Sequence, residues 1–238
     1  MKLIKPKGIL IGKEKFQLIN PRRSKSREIN INSRSKNELC AESQEIVDMG
    51  FSHTEWAHTG TEACITQGLA TQTHQLFINL LNKNPKAKKN VLVIGPGKGY
   101  EIENIKKNVK NSIIDSFDIV DAVKDNYKSK IKNLLVDAGG IENLVNKNMI
   151  GKYDGITAVY SAGYHTNHLE RNILKISLML RPKGVALIKL TENTYKLLKF
   201  ERNMPIILKK FKLTNQFKID RRLIDNGKSE TLIITRKW

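Results

Sequence analysis

Hydrophobic positions are unevenly spread along the 238 residues. Up to about residue 50 they occur singly or in short runs broken by Lys, Arg and Ser, with no sustained period, so this part reads as an extension carrying at most short strands. Between Thr61 and Asn82, Ile65, Leu69, Leu76, Leu80 and Leu81 recur near helical spacing, and the polar NKNPKAKKN segment with Pro85 ends that helix. From Asn90 the pattern alternates apolar runs with helical stretches. VLVIG at 91–95 is continuous enough for a parallel strand buried on both faces, and IIDSFDIV, NLLVDA, DGITAVYSA and GVALIKL repeat the theme. The helical stretch in NHLERNILKISLMLRPKG is predicted to end at Pro182 and Gly184. FKLTNQFKI and RRLIDNGKSETLIITR predict two strands joined at an Asp-Asn-Gly turn, an antiparallel hairpin that closes the sheet. Alternating β and α units with such a hairpin make an α/β three-layer sandwich with a mostly parallel sheet. The boundaries expected are a basic N-terminal extension at 1–55, partly irregular, and one domain at 56–238.

Charge adds a partner to this picture. Lys and Arg number 42 against 23 Asp and Glu, a formal net charge of +19, which points to a long anion and away from a neutral small-molecule enzyme with no polyanionic partner. The excess sits at both ends of the chain. Lys2, Lys5, Lys7, Lys13, Lys15, Arg22, Arg23, Lys25, Arg27, Arg34 and Lys36 lie in the extension, and twelve Lys and Arg follow Asn193. No apolar run approaches the roughly 20 residues that span a bilayer, so no membrane association is expected and the location expected is cytoplasmic. Cys40 and Cys64 stand far apart with no CxxC, which fits a reducing compartment. Together with His53, His58 and His74 they are the residue types a zinc ion takes, but their spacings match no familiar finger, and no metal is assigned.

The sharpest chemical signal is Gly95-Pro96-Gly97-Lys98-Gly99-Tyr100, directly after a buried strand and opening a helix. Glycines there let the backbone turn tightly and a ligand approach the main chain at the strand's carboxyl end. Lys98 precedes Gly99 and Tyr100 where a Walker loop needs Lys followed by Ser or Thr, and the third glycine comes one residue early for the dinucleotide fingerprint. Asp118 ends the next strand, 19 residues after Gly99, where a carboxylate can accept both ribose hydroxyls of a nucleoside, and Asp137 ends the third strand.

With that G-x-G-x-G and those two acids, residues 90–238 resemble the class I S-adenosylmethionine-dependent methyltransferases. The resemblance implies a Rossmann-like methyltransferase fold, S-adenosyl-L-methionine as cofactor, and a site lined by Gly95, Pro96, Gly97, Gly99, Tyr100, Asp118, Ile119, Asp137, Ala138 and Tyr160, with Asp137 meeting the adenine amino group. LRPKGVALIKLTENTYKLLK and KSETLII look more narrowly like the cap ribose 2′-O-methyltransferases of nidoviruses, coronaviruses included, and more loosely like FtsJ-type RNA ribose methyltransferases. A viral protein of that kind would work on capped RNA in the host cytoplasm. That family uses a Lys-Asp-Lys-Glu tetrad in which a lysine activates the ribose 2′-hydroxyl. Its third member falls on Lys189 and its fourth on Glu230. The first falls on Thr71 or Gln72, and the second on Ala162, so half of the set is absent. Three readings follow: another lysine enters the site, the acceptor is a better nucleophile such as guanine N7 that needs only positioning, or the fold binds RNA without transferring a methyl group. Ser161, Tyr164, His165 and Asn167 crowd the end of the fourth strand, where the family places its acceptor; they are read as substrate-binding, with capping of the following helix as the alternative for the histidines.

Overall fold

The computed structural model describes residues 9–11, 14–16, 52, 55, 57–59, 71–83, 88–137, 140–141, 148–159, 161–162, 169–190, 194–224 and 229–238. Within the basic N-terminal stretch, β1 (Ile9–Ile11) pairs antiparallel with β2 (Glu14–Phe16). The other elements are α1 (Thr71–Asn82), β3 (Lys89–Ile94), α2 (Tyr100–Asn108), β4 (Ser112–Asp118), α3 (Asp125–Lys128), β5 (Ile131–Val136), β6 (Tyr153–Ala158), α4 (Leu169–Met179), β7 (Leu180–Lys189), α5 (Thr194–Lys210), β8 (Phe217–Ile224) and β9 (Ser229–Arg236).

Strands β3 to β9 form one seven-stranded sheet in the order β5-β4-β3-β6-β7-β9-β8. The first five of these are mutually parallel, and β9 runs antiparallel to both β7 and β8. The order reverses between β3 and β6, so the carboxyl ends of those strands open the crevice in which open α/β sheets bind ligands.

Two apolar clusters cover the sheet, as a sheet buried on both faces requires. Val91 and Val93, Val185 and Leu187, and Ile233 face one side with Phe77, Ile78 and Leu81 of α1 and Ile102 and Ile105 of α2. Leu92 and Ile94, Ala186 and Ile188, and Leu232 and Ile234 face the other, with Ile173 and Ile176 of α4 and Phe200 and Met204 of α5. Successive residues thus alternate between an α1/α2 face and an α4/α5 face. Close packing fixes the first of these: a Cβ on Gly155 of β6 would lie 2.4 Å from Leu81 Cδ2.

The sheet carries one internal polar knot. Asp115 in β4 is buried and accepts from Tyr153 Oη at 2.9 Å and Asn133 Nδ2 at 2.7 Å, and pairs with Lys152. Burial and the facing carboxylate push the Tyr153 phenol up. These bonds fasten β4, β5 and β6 together beneath the crevice.

Two boundaries differ from the sequence expectation. The helix before β7 ends at Met179, not at Pro182 and Gly184, because Leu180 already pairs with Tyr153. Residues 181–184 then bulge out of the ladder before Val185 pairs with Gly155, with Lys183 at φ 64. The first hairpin strand begins at Phe217, not at Phe211, since α5 runs to Lys210 and Phe211 packs on the α4/α5 cluster. Among the described residues no helix is long and apolar enough to cross a membrane.

Candidate active site

The loop after β3 is built by backbone conformation. Gly95, Gly97 and Gly99 all take positive φ, at 67°, 51° and 99°, a region that L side chains rarely enter. At Gly95 space adds a second constraint: a Cβ there would stand 2.3 Å from Ser161 Cβ. Ser161, just after β6, is buried and donates its hydroxyl to Ile94 O at 2.8 Å, so it locks the loop to the neighbouring strand end. Pro96, Gly97 and Gly99 are buried, whereas Tyr100 at the start of α2 is 37% exposed.

Asp118 sits at the end of β4 with 8% of its surface exposed. Its carboxylate accepts from Ile119 N at 2.7 Å and from Gly97 N at 3.4 Å, so the acid lies directly against the glycine loop. Burial pushes the group up to about 7, with the backbone N–H groups of Ile119, Gly97 and Val120 pulling the other way and Asp121 adding to the rise. Its polar partners are thus backbone amides, which leave lone pairs for further donors. Asp137, buried after β5, donates its N–H to Asp118 O at 3.1 Å and fixes the two strand ends side by side. Gly95, Gly97, Gly99, Asp118, Ile119 and Asp137 are therefore brought to one edge of the crevice. Ala138, Tyr160, Tyr164, His165 and Asn167 lie outside the described residues.

The other side of the crevice is arranged differently. Lys189, the last residue of β7, is fully buried and engaged in the interior, so it is no strand-end lysine reaching to solvent. It stands opposite Thr231 of β9. By the alternation set by Leu187 and Ile233, Lys189 and Thr231 point to the α1/α2 face. Glu230 precedes Thr231 and points to the α4/α5 face, where it pairs with Arg221 of β8 while Arg221 also binds Glu201 of α5 at 2.6 Å. Lys189 and Glu230 are neighbours along the ladder, with Leu190 N donating to Glu230 O at 2.8 Å, but their side chains leave the sheet on opposite sides. Ala162 joins the apolar α4/α5 cluster, and Thr71 and Gln72 form the exposed first turn of α1.

A group that sequence reasoning missed lies on Lys189's face. Glu101, in the first turn of α2, is buried and accepts from Thr157 Oγ1 of β6 at 2.7 Å. His74 of α1 brings its Nε2 to 3.5 Å from the same carboxylate. These residues are 56 and 27 positions from Glu101 in the chain, and no local motif joins them. Of the other residues weighed for zinc, His58 has its Nε2 3.1 Å from Ala122 O, while Cys40, His53 and Cys64 lie outside the described residues.

The basic tail is partly consumed by structure. Arg236 is buried and donates to Leu180 O at 2.6 Å, Arg221 is paired as above, and Lys218 pairs with Asp220 at 2.8 Å. Lys199, Arg202, Lys209 and Lys210 stay exposed on the outer face of α5.

No family model matches this chain, and no curated protein matches it by sequence. Solved structures do. The Burkholderia thailandensis 1,6-didemethyltoxoflavin-N1-methyltransferase, with bound 1,6-didemethyltoxoflavin and S-adenosylhomocysteine, is 14% identical at a TM-score of 0.53, over 83% of this chain and 87% of that one. A chain of the Haloferax volcanii complex between the Trm112 methyltransferase activator and a methyltransferase is 12% identical at a TM-score of 0.51, over 78% and 97%. The chain therefore has a Rossmann-like methyltransferase fold, a mixed seven-stranded sheet with the antiparallel strand β9 beside β7.

Proposed function

We propose that this protein is an S-adenosylmethionine-dependent methyltransferase whose acceptor is RNA, with a ribose 2′-hydroxyl as the methylated group. The observation that carries the donor assignment is Asp118: a buried carboxylate at a strand end, against a left-handed glycine loop, held only by backbone N–H groups among the described residues. Such an acid can accept from two hydroxyl donors, as a ribose offers. These residues fit a nucleoside donor: the loop of Gly95 to Gly99, with positive φ, would approach its amino-acid end and buried Asp137 would meet its base, as the family resemblance implies. The fold shared with the toxoflavin methyltransferase, which binds S-adenosylhomocysteine, supports the same reading. S-adenosylmethionine, when bound, supplies an electrophilic methyl group on a sulfonium sulfur. The chain's own contribution is to hold the donor, to exclude water and to orient an acceptor in line with that methyl.

The RNA acceptor is supported by the +19 net charge and by the exposed Lys199, Arg202, Lys209 and Lys210 of α5, which begins just past the carboxyl end of β7. A hydroxyl acceptor is supported by buried Lys189 on the α1/α2 face of the crevice. One observation favours a second reading, guanine N7: Glu230 points away from Lys189 and is paired with Arg221. Incubation with labelled donor and capped or uncapped RNA, followed by nucleoside analysis, decides between them. Label in 2′-O-methyl nucleosides is expected. Label in 7-methylguanosine alone would replace the ribose by the base, and label only in small molecules would remove RNA as the acceptor.

A further inference from the structure

We infer that His74 is the proton acceptor of this site and Glu101 its positioning residue, an inference that rests on the methyl-transfer reading above. Glu101 is a carboxylate buried among the apolar side chains of the α1/α2 face, and such a charge is costly unless it is bonded. Thr157 supplies one donor at 2.7 Å. The second group aimed at it is the His74 imidazole, whose Nε2 is buried, makes no hydrogen bond among the described residues and lies 3.5 Å from Glu101 Oε1. An imidazole that turns one nitrogen toward a carboxylate can keep its other nitrogen as the acceptor, and such contacts are commonly long until substrate is bound. The side chain of His74 keeps 23% of its surface exposed although Nε2 is buried, so the exposed part lies elsewhere on the side chain.

Position supports the same role. Glu101 follows the glycine loop by two residues, Thr157 is next to last in β6, and Lys189 ends β7. All three stand at the carboxyl rim, on the face that α1 covers. That face also holds Thr231 Oγ1, buried and without a partner among the described residues, directly across the ladder from Lys189. Among those residues the rim thus carries two buried polar atoms that lack partners, beside an acid and a lysine.

The acceptor oxygen forms a bond to the methyl carbon, the carbon–sulfur bond breaks with its electron pair remaining on sulfur, and the hydroxyl proton passes to His74 Nδ1. The positive charge that leaves sulfur reappears on an imidazolium beside the Glu101 carboxylate.

The test uses the full chain and three variants, His74→Gln, His74→Ala and Glu101→Gln, each checked for folding by circular dichroism. Donor binding is read by calorimetry with S-adenosylhomocysteine, and transfer with labelled donor to capped RNA, uncapped RNA and a small-molecule extract. His74→Gln is expected to lose about 100-fold or more in kcat, with its affinity for S-adenosylhomocysteine within about threefold of wild type. Added imidazole is expected to restore transfer by His74→Ala, which a merely structural histidine would not allow. Glu101→Gln keeps the bond from Thr157 and is expected to lower kcat while leaving KM for the acceptor unchanged. Transfer by His74→Gln at the wild-type rate overturns the inference and leaves the methyltransferase reading standing. Failure of the wild type to transfer to any acceptor overturns both.

Discussion

The two halves of the sheet hold their strand-end charges by different means. In the β5-β4-β3 half, Asp118 is fixed by backbone N–H groups a few residues away in the chain or in the adjoining loop, and the loop itself is shaped by positive φ at three glycines. Toward the β6-β7-β9-β8 half the partners are side chains: Glu230 pairs with Arg221 across the β8–β9 hairpin, and Glu101, reaching over from α2, accepts from Thr157 of β6 with His74 of α1 3.5 Å away. Backbone donors are set once the strands are in place, so the first half is preorganised for one kind of ligand. Side-chain partners depend on how separate elements pack, so the arrangement in the second half is set by tertiary contacts.

Gly95 joins the halves, because Ser161 of the second packs into the space a side chain would need in the first. Gly95→Ala should destabilise the protein by about 3 kcal/mol, from the positive φ together with overpacking, and lower Tm by about 10 °C. Gly151→Ala serves as the comparison, since its φ of 64° is similar but the nearest atom, Arg236 Nη1, is 3.8 Å away. It should cost only about 1 kcal/mol. Equal melting shifts for the two variants, measured by calorimetry, would remove the joint between the halves.

Next in size is a pH effect confined to the first half. With the Asp118 carboxyl raised to about 7 in the free protein, ribose hydroxyls must bind the ionised form, so donor affinity should rise with pH. Between pH 6 and pH 8 the gain should be about tenfold, and the complex should release a proton as it forms. The free protein should behave in the opposite sense. A carboxyl raised on folding makes the native state bind more protons than the unfolded one between about pH 4 and 7, so this group's cost to stability is absent at the low end and complete above 7. Titrations with S-adenosylhomocysteine at the two pH values check the first statement, and denaturant melts check the second.

The smallest effect tests the second half's surface. Lys209→Glu with Lys210→Glu, both far from the crevice residues in sequence and exposed on α5, should weaken binding of single-stranded RNA by a few-fold. The slope of log K against log salt should become shallower by about 1.4, the value for two lost phosphate contacts. Donor affinity should not change. An unaltered salt slope would separate the α5 cations from the RNA path.

This division also explains what the sequence disclosed. The glycine loop, Asp118 and Asp137 were legible because each depends on position at the end of an apolar run, a local property that a buried parallel strand imposes. The mostly parallel sheet with its closing hairpin followed from the alternating pattern, whereas the strand order is read only from the structure. Glu101, Thr157 and His74 were not legible, since their meeting depends on how α1 crosses β6 and β7, and His74 was noticed only among residues able to bind zinc. The resemblance that assigned Lys189 and Glu230 to one tetrad carries no information about faces. A one-residue offset along the β7–β9 ladder turns their side chains apart. The start of β7 at Leu180 was hidden by an apolar run that suits a buried helix and a buried strand equally.

We propose that the edge formed by the glycine loop and Asp118 binds the nucleoside of a methyl donor, and calorimetric titration of the wild type and Asp118→Ala with S-adenosylhomocysteine at pH 8 decides it. Two hydrogen bonds to a charged acceptor are at stake, so the variant should bind at least about 100-fold more weakly than a wild type that binds clearly. No binding by the wild type, or equal binding by the two proteins, would contradict it.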